Sequence, residues 1–258
     1  MTTVVKIGGH VLADEAALDR FCHDFVSLKG SKILVHGGGE LASEVQAALG
    51  APPVKIEGRR VTDAAALQAV TMVYAGWYNK LVVAKLQREG CNAVGLSGAD
   101  ASCITARRRP PRTISDGSTV DYGFVGDVGP GSVDARFLTT LLDRGYTPVL
   151  CAINHDGRGQ LLNTNADTVA TSVAAAMGAS LICCFELPGV LADPSDPSSL
   201  IREIDSARFE ELKSSGIVSG GMLPKLESAF AALRCGAAGV TIKKATELLG
   251  SAGTVIRL

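Results

Sequence analysis

Lys32–Leu49, KILVHGGGELASEVQAAL, constrains the fold of this chain more than any other stretch. Ile33, Leu34 and Val35 form a short apolar run of the kind carried by a strand buried on both faces. Three consecutive glycines, Gly37, Gly38 and Gly39, then turn the chain, and Leu41, Ala42, Val45, Ala48 and Leu49 follow at helical spacing. Strand, glycine turn and helix together bring backbone N–H groups and a helix N-terminus up against an anion. Glycine permits positive φ and places no Cβ between backbone and ligand. A bare βα turn needs only one glycine, so three in a row point to a bound anion without saying which.

The pattern repeats. Val4–Ile7, Ala93–Leu96, Thr147–Ile153, Ser180–Phe185 and Gly239–Ile242 read as strands, with Val54–Glu57 a further candidate. Asp14–Leu28 reads as an amphipathic helix with Ala17, Leu18, Phe21 and Phe25 inward. Thr62 or Asp63 would cap a long helix, Ala64–Arg88. Asp134–Arg144, Thr168–Met177, a stretch near Ser206–Ser214 and Lys225–Cys235 complete the helices, and Gly145 and Gly178 stop two of them. Ser97–Val133 has no regular period, although Tyr122–Gly126 suits a hairpin. Alternation of this kind predicts an α/β fold with a mostly parallel sheet and helices on both faces. At 258 residues the chain accommodates one large domain or two lobes, with a boundary near Gly178.

The balance of charge narrows the partners. A formal net charge of −1 supplies no basic face for general nucleic-acid binding. No apolar run approaches the ~18 residues of a membrane span, and Val4-Val5-Lys6-Ile7 follows no signal-peptide pattern. A cytoplasmic chain with no membrane contact is expected. Seven cysteines without C-x-x-C spacing read as core thiols in a reducing compartment, and four scattered histidines suggest no metal site.

Lys6 is costly within an apolar strand unless its ammonium reaches a partner at the strand end. It either enters the anion site or, on an edge strand, reaches solvent. Gly37-x-Gly39-x-x-Ala42 fits the dinucleotide fingerprint, with Glu57 about 20 residues on as the ribose contact. A nucleotide-dependent oxidoreductase is one reading of that match. The chain contains no Gly-Lys-Ser/Thr, which excludes an ordinary P-loop.

Seven motifs fall in a single order: Lys6-Ile7-Gly8-Gly9, His36-Gly37-Gly38-Gly39, Gly58-Arg59-Arg60-Val61-Thr62, Gly95-Leu96-Ser97-Gly98, Asp121–Gly126, Gln160–Asp167 and Gly220-Gly221-Met222-x-x-Lys225. Together, over nearly the whole chain, they resemble the acetylglutamate kinases of the amino-acid kinase family. The resemblance implies a three-layer αβα sandwich. Its N-terminal lobe, residues 1–178, would hold N-acetyl-L-glutamate and form a homodimer, and its C-terminal lobe, 179–258, would hold ATP with Mg2+. The implied reaction phosphorylates the γ-carboxylate, in arginine biosynthesis. A carboxylate is already ionised at neutral pH, so no general base is needed. The obstacle is bringing an anion to a polyanion, which positive charge and oriented N–H groups overcome.

By the same resemblance Lys6 and Lys225 are the two transition-state lysines, Asp167 organises them, and Gly8 and Gly9 serve the phosphates. Gly38, Gly39, Arg60 and Asn163 hold the substrate, Arg60 as a two-pronged donor for a carboxylate. Glu186, Leu187, Pro188, Gly189, Val190 and Leu191, with Ile217, Val218 and Ser219, match the nucleotide-holding segments, and no protein metal ligand is implied. Two features depart from the family: Phe185-Glu186 stands where Ser-Asp or Thr-Asp is usual, and Pro224 precedes Lys225. Related readings are a kinase for another acylated glutamate, such as N-succinyl, or for a carrier-bound aminoadipate or glutamate. A carrier would need a more basic mouth, to which Arg107-Arg108-Arg109 contributes unless it is a solvated loop. A non-catalytic sensor on the same fold is a third, which gives no reason for both lysines. Arginine-inhibited, ring-forming relatives carry an extra N-terminal helix, so an arginine-insensitive homodimer is expected here. The apolar face of Ala64–Leu86, with Val70, Val73, Tyr74 and Trp77, is the candidate dimer surface.

Overall fold

In the computed structural model, which describes residues 1–258, the apolar runs lie side by side. Eight strands form one sheet: β1 (Thr3–Ile7), β2 (Lys32–His36), β3 (Ala93–Leu96), β4 (Thr147–Cys151), β5 (Ser180–Phe185), β6 (Glu203–Ile204), β7 (Gly239–Lys244) and β8 (Thr254–Ile256). Their order is β6-β8-β7-β5-β1-β2-β4-β3, and the β7–β8 pairing alone is antiparallel. β1 is central. Its Val5 pairs with Leu34 on one side and Ile182 on the other. An edge-strand position for Lys6 is thereby ruled out.

Alternate residues of each central strand enter different cores. Val4, Ile33, Val35 and Leu150 pack into one, while Val5, Leu34 and Val149 pack into the other. The second core is covered by α1 (Gly9–Ala13), α2 (Glu15–Ser27), α3 (Gly39–Ala48) and the long helix α4 (Ala64–Arg88). The first is covered by α5 (Ala135–Asp143), α6 (Ala166–Ala176), α7 (Ser206–Ser214) and α8 (Met222–Arg234). The result is the expected three-layer αβα sandwich. Leu18, Phe21 and Phe25 are fully buried along α2, whereas Ala17 is half-buried. No helix is long and apolar enough to cross a membrane.

The helix α4 runs from Ala64 to Arg88 in three parts: α-helical Ala64–Thr71, π-helical Met72–Tyr78 and α-helical Asn79–Arg88. Asp63 caps it, its carboxylate accepting from the Ala66 N–H at 2.8 Å. Apolar periodicity signals the rod but not the π turn, which adds one residue per hydrogen-bonded loop and re-aims the side chains after it. Val70, Val73 and Tyr74 are buried in the chain's own core. Three of the four residues expected at a dimer surface are therefore unavailable to a partner, and Trp77, 60% exposed, is the exception.

Elsewhere the boundaries shift. The strand expected over Thr147–Ile153 ends at Cys151, and Ile153–His155 turns away to pair antiparallel with Leu161–Asn163. Tyr122–Gly126 forms no hairpin of its own. Arg107–Arg108 pairs with Gly126–Asp127, and Arg112–Thr113 with Thr119–Val120. Tyr122 and Phe124 instead clip onto Thr62 through backbone hydrogen bonds of 2.9 and 2.7 Å. Six cysteines are buried and Cys235 is exposed; all seven are free thiols.

Candidate active site

The carboxyl ends of β1, β2 and β5 converge, which is where ligands bind in open α/β sheets. Lys6, only 6% exposed, is the next-to-last residue of β1, with its Nζ 2.8 Å from a carboxylate oxygen of Asp167. Asp167 lies in the first turn of α6, whose cap, Asn165, accepts from the N–H groups of Asp167 and Thr168 at 2.8 and 3.1 Å. Burial works against the Lys6 charge, but the charge and contact of Asp167 outweigh it and lift the pKa above its ordinary value.

Lys225 arrives from the opposite end of the chain, in the first turn of α8. Its Nζ stands 3.9 Å from the centroid of the Phe185 ring, and the Lys6 Nζ stands 5.0 Å from the same centroid. Burial, then repulsion from Lys6, pushes the Lys225 pKa down against the opposing pull of Asp167 and Glu186. Pro224 is the third residue of α8. A proline in the first turn gives up an N–H that has no intrahelical acceptor, so this departure costs the helix nothing. Burial pushes the neighbouring Cys183 thiol up to about 12, which removes it as a nucleophile at neutral pH.

Three helices open on glycine. Gly8, Gly38 and Gly221 are the caps of α1, α3 and α8, and none of these helix starts has a side-chain capping bond. The first N–H groups of α1 and α3 are left for a ligand, whereas that of α8, on Met222, donates to the Ser219 carbonyl. Gly38 has φ +145°, and a Cβ there would fall 2.5 Å from a ring carbon of Tyr78. The π segment of α4 brings that ring, and Tyr74, against the turn. Next to it, the amide of Asn79 donates to Nε2 of His36 (3.1 Å) and to the Val149 carbonyl (2.9 Å). His36 is fully buried with its pKa lowered to about 4 by that burial, so it stays neutral and supports the turn without entering the chemistry.

Arg60 lies on a short hairpin, Lys55–Ile56 against Arg59–Arg60. Its guanidinium donates to Gln46 Oε1 (2.6 Å), Ser43 Oγ (2.6 Å) and the Gly39 carbonyl (2.9 Å), which fixes its plane against α3. Asn163 donates to Thr62 Oγ1 at 3.1 Å. A cleft of about 1070 Å³ is lined by Lys6, Gly8, Gly9, Gly38, Gly39, Arg60, Asn163, Asp167 and Lys225 together. Arg109 of the arginine run also lines it, as do Lys55, Arg59, Arg112 and Tyr74, which the sequence did not place there. Seven basic side chains (Lys6, Lys55, Arg59, Arg60, Arg109, Arg112, Lys225) face three acids (Glu57, Asp167, Glu227), so the cleft favours anions. Arg109 pairs with Asp127 and its side chain is 14% exposed, so it departs from the solvated-loop view of the arginine run, which holds for the exposed Arg107 and Arg108. The only advance sign of this basic wall was the run itself.

The expected nucleotide segments lie outside this cleft. Glu186 faces His10 at 3.3 Å, and His10 faces Glu40 at 3.1 Å. Val190 and Leu191 pair with Ile201 and Leu200 and are buried, as is Val218. A Cβ on Gly189 would strike Leu200 and Thr254 at 2.6 Å. Leu187 and Ile217 are exposed, Pro188 is half-buried, and the Ser219 carbonyl accepts from the Met222 N–H. Glu57, the ribose contact of the dinucleotide reading, sits in the hairpin turn with φ +47° and accepts from Ser115 N and Oγ at 2.9 and 2.7 Å. It ends no parallel strand, and the oxidoreductase reading loses its second anchor. No cluster of three or more His, Cys, Asp or Glu side chains could hold a metal ion.

Residues 1–244 match the amino acid kinase family. This chain belongs to that family. Within the amino acid kinases it is 45% identical over 259 aligned positions to the acetylglutamate kinase of Bacteroides thetaiotaomicron, covering 99% of this chain and 98% of that one. It is 47% identical to that of Cytophaga hutchinsonii (95% and 92% covered) and 43% identical to that of Methanopyrus kandleri (98% and 99%). Among solved structures, N-acetylglutamate synthase from Neisseria gonorrhoeae, complexed with coenzyme A and N-acetyl-glutamate, superposes with a TM-score of 0.81 at 24% identity. That match covers 100% of this chain and 59% of the longer one. Giardia carbamate kinase matches with a TM-score of 0.69 at 14% identity, over 99% of this chain and 98% of that one. Both likenesses concern the fold.

Proposed function

We propose that this protein is an N-acetyl-L-glutamate kinase. It transfers the γ-phosphoryl group of ATP to the substrate γ-carboxylate and yields N-acetylglutamyl 5-phosphate, a step of arginine biosynthesis in the cytoplasm. The observation that carries the reading is the meeting of Lys6 and Lys225, from opposite ends of the chain, beside glycine-capped helices in a basic cleft. Full-length relatives with that name support it.

The attacking carboxylate needs no base, so the chain's task is placement and charge. Arg60 takes the substrate α-carboxylate and Asn163 the acyl amide, while Gly38 and Gly39 direct N–H groups at the reacting end. Gly8 and Gly9 receive phosphate oxygens. Lys6 and Lys225 neutralise the charge that builds on the transferring group, and Asp167 keeps Lys6 in place. These donors suit phosphate oxygens, and with no carboxylate cage in the cleft Mg2+ would enter on the phosphates of ATP. Bound there, it would supply positive charge to offset that of the phosphates. Residues 179–258 form the ATP side, with Glu186–Leu191 and Ile217–Ser219 flanking the nucleotide, and residues 1–178 the acylglutamate side.

Replacing Arg60 with lysine keeps the charge and loses the fork. The expected result is a higher KM for N-acetylglutamate with the KM for ATP almost unchanged. An unchanged acylglutamate KM would remove Arg60 from the substrate site. A homodimer completes the proposal, with Trp77 and the 48%-exposed Met72 as its apolar contact on α4. Light scattering should give twice the 26.6 kDa chain mass, and a Trp77→Glu variant should lower it. A monomer at micromolar concentration would dismiss the dimer.

A further inference from the structure

Phe185 ends β5, half-buried, with the ammonium groups of two cleft-lining lysines, Lys6 and Lys225, against its ring. The two are held differently. Lys6 has a carboxylate at 2.8 Å, whereas Lys225 makes no ion pair and has the ring centroid at 3.9 Å as its close counterpart. A carboxylate under Lys225 would fix it more firmly, but would cancel its charge and repel incoming phosphates. An aromatic face attracts a cation through its quadrupole while carrying no net charge.

We propose that Phe185 is a positioning residue for phosphoryl transfer, its ring holding the Lys225 ammonium charged and aimed into the cleft beside Lys6. The proposal rests on the kinase reading given above. It explains how two like charges share one corner of a site in which the one carboxylate ion-paired with either lysine, Asp167, is committed to Lys6. The groups that face Lys225 are Lys6, Asp167, Glu186 and the neutral Cys183 thiol. Burial and Lys6 already favour its uncharged form, and the ring opposes them. Without the ring the lysine loses its proton at lower pH.

The test uses the full chain carrying 13C-lysine, with Phe185→Leu to remove the π face at similar bulk and Phe185→Tyr to keep it. In the wild type the Lys225 side-chain resonance should be shifted by the ring current. Leucine should abolish that shift and lower the pH at which the resonance titrates, and tyrosine should preserve both. In ADP-release kinetics leucine should lower kcat about threefold to thirtyfold, leave the KM for N-acetylglutamate unchanged, and move the basic limb of the pH profile to lower pH. Tyrosine should restore kcat to within about twofold. A wild-type Lys225 signal free of ring shift overturns the proposal and requires no variant. So does a leucine variant that loses the shift yet keeps the wild-type kcat and pH profile. If the wild type shows the ring shift but releases no ADP with N-acetylglutamate, the kinase reading fails and the cation–π contact stands.

Discussion

Lys225→Ala is expected to lower kcat about 10²–10³-fold while the chain stays folded, the usual cost of removing one electrostatic contact to a transition state. Lys225 is in the first turn of α8, makes no ion pair and rests on Phe185, so alanine leaves no buried charge unpartnered. Alanine is also a better helix former than lysine's surroundings require. The loss should therefore appear in kcat at full occupancy of both substrates, with circular dichroism and thermal midpoint close to the wild type. Near-wild-type turnover in a folded Lys225→Ala chain would remove this lysine from the reaction.

Asp167→Ala should act first on stability. It leaves the Lys6 ammonium, 6% exposed in the central strand, without its partner. Breaking a buried pair from one side costs about 3–5 kcal/mol. The lower end, about 3 kcal/mol, applies because the Asp167 side chain is itself 25% exposed. Because pairing raises the Lys6 pKa, the contribution is complete at neutral pH and is lost only as pH climbs past the ordinary lysine value of 10.5 and through the raised one. Urea melts at pH 7 should show the deficit. The double variant Lys6→Met, Asp167→Leu should recover most of the stability and none of the activity. Equal melts for Asp167→Ala and wild type would mean that the pair does not hold Lys6.

The sandwich was legible because its signals are local. Ile33–Val35, Ser180–Phe185 and the glycine turns read as buried strands and caps on their own chemistry. The paired lysines were legible only through the order of motifs, since nothing local joins Lys6 to Lys225. What escaped has physical reasons. Apolar spacing alone does not tell a helix face packed on its own sheet from one that meets a partner, so Val70, Val73 and Tyr74 looked like a surface stripe although they fill the core. Arg109 and Arg112 reach the cleft on a ribbon whose pairing, Arg107–Arg108 with Gly126–Asp127, spans an irregular stretch. Phe185 stood out in sequence as a departure at the strand end, but nothing there gave it a part to play, which comes only from its position against two ammonium groups.

The most direct measurement is the stoichiometry of ADP against trapped acyl phosphate. The purified chain is supplied with ATP, Mg2+, N-acetyl-L-glutamate and hydroxylamine. ADP should appear only when the acylglutamate is present, with one hydroxamate formed for each ADP, because an acyl phosphate at the γ-carboxylate is captured as it forms. ADP release that is indifferent to N-acetylglutamate, or that yields no hydroxamate, would contradict phosphoryl transfer to that carboxylate.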